Sequence, residues 1–423
     1  MKKQIFDGFG DESYVKVEMP NGLEIYIMEK PQYSSSYAIY GTRYGSIDTR
    51  FAKNDEEMIT VPEGIAHYLE HKLFEGEDGD AFSKYAKTGA SANAFTSFDR
   101  TCYLFSCSDN FYENLDILLN FVQSPYFTKE NVEKEQGIIG QEIRMYDDNP
   151  GWRVMFNLLK GMYHNHPVRI DIAGTVESIA QIDADLLYKC YETFYNPANM
   201  FICLVGNIDT DKTLKQIEES IIDREPVEIT RGEFDEPKTV VKSYVEQRLA
   251  VNTPMFCLGF KQNIGSPYRR LKSKVCVDLL LQLICGDASP LYARLMNEGL
   301  INDDFGSEYF NGNGYAAVIF EGESRDPERV AAEIKAEINR LREDGVSKKL
   351  FSAAKCAMYG DMVRRFNSVE NLAMSLTECA MCGYSLFDEI KMVKSVSYDD
   401  VMKRFDVFSD ENATLSVIKP LED

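Results

Sequence analysis

The chain has 423 residues, 44% hydrophobic and 27% charged, the balance of a globular protein with a large core and room for two to four domains. A formal net charge of −22 excludes a general nucleic-acid binder, since phosphate recognition needs a basic footprint, and would instead attract cationic peptides. No run of about 18 apolar residues is present for a membrane span, the opening MKKQIFDGFG lacks the apolar stretch of a secretory signal, and the 10 cysteines are scattered. A cytoplasmic protein with reduced thiols is expected.

The first segment with chemical content runs from Pro62 to Phe74. Pro62 and Glu63 suit the first turn of a helix, and Ile65, Ala66, Leu69, Leu73 and Phe74 supply an apolar face. Within it His67-Tyr68-Leu69-Glu70-His71 spells H-x-x-E-H, the reverse of the H-E-x-x-H zinc motif. Residues three and four apart share a helix face, so His67 and His71 can offer two imidazoles to one metal ion. Glu70 lies on the same face, placed to act as the base for a water. Two histidines beside one carboxylate are what zinc-assisted peptide hydrolysis requires. The chain holds only 4 histidines, and two of them are here.

A catalytic zinc takes three protein ligands, so a third is expected on another element. The helix spanning Asn131 to Tyr146 offers Glu135 and Glu142, seven residues and two turns apart on one face. One of the two could ligate the metal while the other orients a ligand. His164 and His166 are the remaining histidines, but their H-x-H spacing followed by Pro167 reads as a loop with solvated side chains. Cys379-Ala380-Met381-Cys382 stands alone in an apolar helical stretch and reads as core thiols.

These segments, AHYLEHKLFEG, GASANAFTSFDRTCYLFS and VEKEQGIIGQEIRMYDDNP, resemble in that order the three landmarks of the pitrilysin/insulinase family of zinc peptidases, the inverzincins. The likeness is nearest to a bacterial, processing-peptidase-like branch. It implies zinc as cofactor, with His67, His71 and Glu142 as ligands, Glu70 as base and Glu135 as an accessory catalytic carboxylate. It also implies that Ala92, Asn93, Ala94 and Phe95 form the edge strand on which the family lays its substrate backbone.

The two halves of the chain echo one another. The strand Tyr103–Cys107, a helix from Phe111 and the Glu135/Glu142 helix parallel Ala317–Phe320, a helix from Asp326 and a helix reaching Arg365. Each half then closes with a capped helix and a hydrophobic strand, Met200–Val205 in the first and Ala413–Ile418 in the second. The expected fold is α+β: two homologous units, each a sheet covered by helices. The expected domains are 1–222, catalytic, and 243–423, non-catalytic, joined by a charged linker at 223–242. The second-half counterpart of the metal helix, near Val275 to Leu283, carries Asp278 but no histidine.

The resemblance further implies an Arg and a Tyr on the non-catalytic wall that polarise the scissile carbonyl. Those slots fall on Met296 and Asn302, while Arg294 and Tyr309 are out of register. Self-sufficiency is therefore not expected. One chain holds half of the four units with which family members enclose a substrate, so a second family chain is needed. A heterodimer with a chain carrying the missing pair is preferred over a homodimer. The expected activity is zinc-dependent endoproteolysis of peptides or unfolded chains. A silent assembly subunit would lack one of His67, Glu70, His71 or Glu142, and a non-peptide hydrolase would not need the Asn93–Phe95 strand.

Overall fold

A computed structural model of the chain describes residues 1–262 and 271–422. One sheet is built from β1 (Lys2–Phe9), β2 (Glu12–Glu18), β3 (Glu24–Glu29), β4 (Ser36–Thr42), β5 (Ser91–Thr96), β6 (Thr101–Cys107) and β7 (Met200–Gly206). Their order is β1-β2-β3-β7-β4-β6-β5. The central β7 reads Met-Phe-Ile-Cys-Leu-Val-Gly and every residue is buried, as a run without polar alternation must be when both faces are covered. It pairs parallel to β3 and antiparallel to β4. At the far end β5 bonds only to β6 among the described residues, which leaves its other edge without a strand partner there.

A second sheet is built from β8 (Tyr244–Leu249), β9 (Met255–Gln262), β10 (Gly306–Gly312), β11 (Tyr315–Glu323) and β12 (Ala413–Pro420), in the order β8-β12-β9-β11-β10. Here β12 pairs parallel to β8 and antiparallel to β9. Strand for strand, β3-β7-β4-β6-β5 recurs as β8-β12-β9-β11-β10. The chain is α+β with two homologous units, and the weak internal echo of the sequence is a duplicated topology. Before each closing strand stands a capped helix: Asp183 accepts from Leu186 N ahead of β7, and Ser397 from Asp400 N ahead of β12.

Packing divides the chain less simply than the expected linear domains. One compact unit comprises residues 1–143, 171–233 and 363–388, the other 144–170, 234–362 and 389–423. The segments out of linear order carry two helices. Helix Pro150–Met162 packs on β9 and β12, where Gly259 leaves room for it: a Cβ there would sit 2.8 Å from Met162 Sδ and 3.1 Å from Leu158. Helix Val369–Cys382 packs on β4 and β7. An amphipathic pattern shows that a helix has an apolar face, not which sheet will cover it.

The chain passes from one unit to the other at 233/234, inside the run expected as a linker. That run is not featureless. Ile229–Arg231 pairs with Arg50–Lys53, and Glu236 accepts from the backbone N–H groups of His164, Asn165 and His166 at 2.7–2.9 Å. Lys261, almost wholly buried, donates to the same carboxylate at 2.5 Å. Despite burial, these donors hold Glu236 at a pKa of about 2. The same clasp corrects the expectation of solvated histidines. The 163–167 segment is a loop, but His166 is buried: Nδ1 accepts from Val168 N and Nε2 donates to the Asn313 carbonyl. Burial pushes its pKa down to about 4.

Among the described residues no single helix is long and apolar enough to cross a membrane. All 10 cysteines are free thiols, and Cys379 lies buried in helix Val369–Cys382 as expected.

Candidate active site

Helix α1 (Ile65–Leu73) carries the H-x-x-E-H motif. It begins at Ile65, so Pro62 and Glu63 precede it instead of forming its first turn. The reason is Gly64, whose φ of +87° is a conformation L side chains avoid. A Cβ at Gly64 would lie 2.3 Å from the Ala173 carbonyl oxygen, and one at Gly174 (φ +74°) 2.5 Å from that of Glu63. The two glycines let these backbones cross back to back, and Ser178 Oγ donates to the Glu63 carbonyl at 2.8 Å. Of the nine residues in α1 only His71 is not buried.

Helix α2 (Lys129–Asp147) carries the two glutamates. Tyr68 of α1 ties the helices together by donating its hydroxyl to the Val132 carbonyl. The expected ligands converge: one donor atom from each of His67, His71 and Glu142 lies within 4.8 Å of the others. His67 Nε2 is 3.7 Å from Glu142 Oε1, and His71 Nε2 is 3.4 Å from Glu142 Oε2. On its other side His71 Nδ1 donates to Glu135 Oε1 at 3.1 Å, which directs Nε2 toward a metal once that nitrogen gives up its proton. Glu135 thus touches His71 and stands outside the group of converging donor atoms, the place of a positioning residue and not of the accessory catalytic carboxylate expected. Among the described residues His67 Nδ1 has no such partner. It is buried without a hydrogen bond, so packing fixes this ring.

The electrostatics suit a cation. Burial, reinforced by His71, pushes His67 down to about 4, so this ring is neutral at pH 7. Burial opposes the charge on His71, yet its hydrogen bonds to Glu135 and Glu142 carry it up to about 10. A divalent metal would take over the role of that proton. Two imidazole nitrogens and one carboxylate are a zinc donor set with an open fourth position, and the residues fit the ion. Burial raises Glu70 above the ordinary carboxylate range, moderated by a hydrogen bond from Thr96.

Beside the ligands opens a cavity of about 630 Å³. Glu70, His71 and Glu135 line it on one side, Asn93 and Ala94 of β5 on another. Ala92 and Ala94 pack toward the core, whereas Asn93 lies on the alternate face, exposed. Phe95 shares that alternate face and is half-buried. The four residues expected at the substrate strand are thus on a sheet edge, unpaired among the described residues, next to the expected metal ligands. The residue that sequence reasoning passed over is Thr96, whose hydroxyl reaches Glu70; its only signal is its place in the alternation with Ala92 and Ala94.

Among its described residues the other unit offers no such cluster. Helix Leu271–Cys285 carries Asp278 paired with Lys274, and no histidine. Met296 and Asn302 occupy the expected Arg and Tyr slots, while Arg294 is paired with Glu333.

Residues 60–176 match the profile of the insulinase family, peptidase family M16, and residues 181–358 that of the peptidase M16 inactive domain. The uncharacterized zinc protease YmfH of Bacillus subtilis is 42% identical over 92% of either chain. The chain belongs to peptidase family M16. An M16-like peptidase from Alicyclobacillus acidocaldarius superposes with a TM-score of 0.94 at 33% identity, covering 98% of this chain and 99% of that one. Pitrilysin shares the fold, with a TM-score of 0.78 at 20% identity; all of this chain matches 47% of pitrilysin's. The division between the two M16 profiles agrees with the placement of all four histidines before residue 167.

Proposed function

We propose that this M16 chain is a zinc-dependent endopeptidase that cuts peptides or unfolded polypeptides inside a chamber closed by a second family chain. The observation that carries this reading is the convergence of His67, His71 and Glu142, with Glu70 on the same helix and the edge of β5 alongside. Zinc, when bound, supplies a Lewis acid that polarises a carbonyl and brings the pKa of water from 15.7 toward about 7. Around it, His67, His71 and Glu142 hold the ion, and Glu135 keeps the His71 ring in its metal-binding tautomer. Glu70 takes the proton of the attacking water and returns it to the leaving amine. The peptide adds as a strand at Ala92–Phe95, so backbone hydrogen bonds give affinity with little demand on sequence.

The second chain enters because no Arg/Tyr pair stands at Met296 and Asn302, and because the fold match spans 47% of pitrilysin. A heterodimer with a chain that carries the pair is favoured over a homodimer. The complete set of metal and base residues argues against a silent assembly subunit. A substrate admitted as a strand must be short or unfolded, so casein-like chains and peptides of a few tens of residues should be cut. Folded proteins should survive. Sedimentation alongside activity assays, with and without candidate partner chains, tests the chamber. Cleavage of a folded protein with unfolded chains spared, or full turnover by a strict monomer, would overturn it.

A further inference from the structure

Thr96 is the last residue of β5, and its hydroxyl donates to Glu70 Oε2 at 2.6 Å. Across the β5–β6 register Thr101 faces it, with the two hydroxyl oxygens 3.3 Å apart. Thr101 is fully buried and gives its own proton to the Tyr44 carbonyl at 2.9 Å. Thr101 therefore offers Thr96 only a lone pair. The shorter, charge-assisted bond to the carboxylate takes the Thr96 proton.

We propose that Thr96 is the positioning residue for Glu70: it ties Oε2 to β5 and leaves Oε1 as the oxygen that exchanges the proton. The assignment rests on the peptidase reading above and deepens it. In that reading β5 also receives the substrate backbone, so one strand sets the place of the base and of the peptide bond it serves. Proton transfer tolerates little error in this distance, and a displacement of about 1 Å costs on the order of a hundredfold. A purely structural hydroxyl, present to satisfy a buried carboxylate, would support folding but not this division between the two oxygens.

Thr96→Val keeps the β-branched shape and strand preference while removing the donor. It should lower kcat about 10–100-fold while KM stays within roughly twofold, with zinc content unchanged. Thr96→Ser, which retains the donor, should recover most of kcat. A crystal structure of Thr96→Val should show the Glu70 carboxylate turned away from β5, a readout that needs no turnover. Wild-type kcat in Thr96→Val, a Ser variant as impaired as the Val variant, or an unmoved carboxylate would overturn the assignment. A wild-type protein that cuts no peptide would overturn the peptidase reading instead, and the crystallographic comparison would still decide the role of Thr96.

Discussion

Glu70→Gln should abolish peptide hydrolysis while leaving the metal bound. Glu70 is nearly buried, faces the cavity beside the ligands and has Thr96 as its hydrogen-bond donor. Gln keeps the volume and can still accept from Thr96, but it cannot take a proton from water. General-base transfer contributes about 10²–10⁴-fold, so kcat should fall by about a thousandfold. Zinc should stay near one ion per chain, because His67, His71 and Glu142 are untouched. Metal analysis paired with single-turnover cleavage checks both halves. An empty site in Glu70→Gln would sink the division between base and ligands.

His71→Ala should lose both zinc and turnover. Two protein donors would remain, and Glu135 and Glu142 would face each other without the ring that now lies between them. Glu135→Gln is the graded companion: it keeps all three ligands but loses the carboxylate that orients His71. Changes of this kind cost about 10–100-fold in metal affinity. Competition with a chelator of known affinity should rank wild type above Glu135→Gln, and Glu135→Gln above His71→Ala. Equal zinc affinity in wild type and Glu135→Gln would mean that the His71–Glu135 bond does not organise the site.

The candidate cluster was legible in the sequence because the helical period alone puts His67, Glu70 and His71 on one face of a helix, and Glu135 and Glu142 on one face of another. The duplication was legible because each half repeats a strand–helix–helix pattern with the same closing elements, and the matched strand orders bear it out. What stayed hidden depends on distant partners. The start of α1 is set by the crossing of Gly64 with Gly174, and nothing local announces it. The packing of 150–162 and 369–382 follows from which sheet each helix meets, and an apolar stripe does not name its partner. His166 looked solvated since its buried contacts come from Glu236 and Asn313, far along the chain. Thr96 looked like any strand threonine until Glu70 stood opposite it.

The central claim is that His67, His71 and Glu142 together hold one zinc. The chain also carries 10 free thiols, any of which would mark a different site. X-ray absorption at the zinc edge of the purified, zinc-loaded protein separates the two outcomes, since Zn–S distances near about 2.3 Å stand apart from Zn–N and Zn–O at about 2.0–2.2 Å. The expected result is a shell of nitrogen and oxygen only, with the multiple scattering of two imidazoles, and loss of that zinc signal in His67→Ala as in His71→Ala. A sulfur shell, or a spectrum unchanged by His67→Ala, would contradict it.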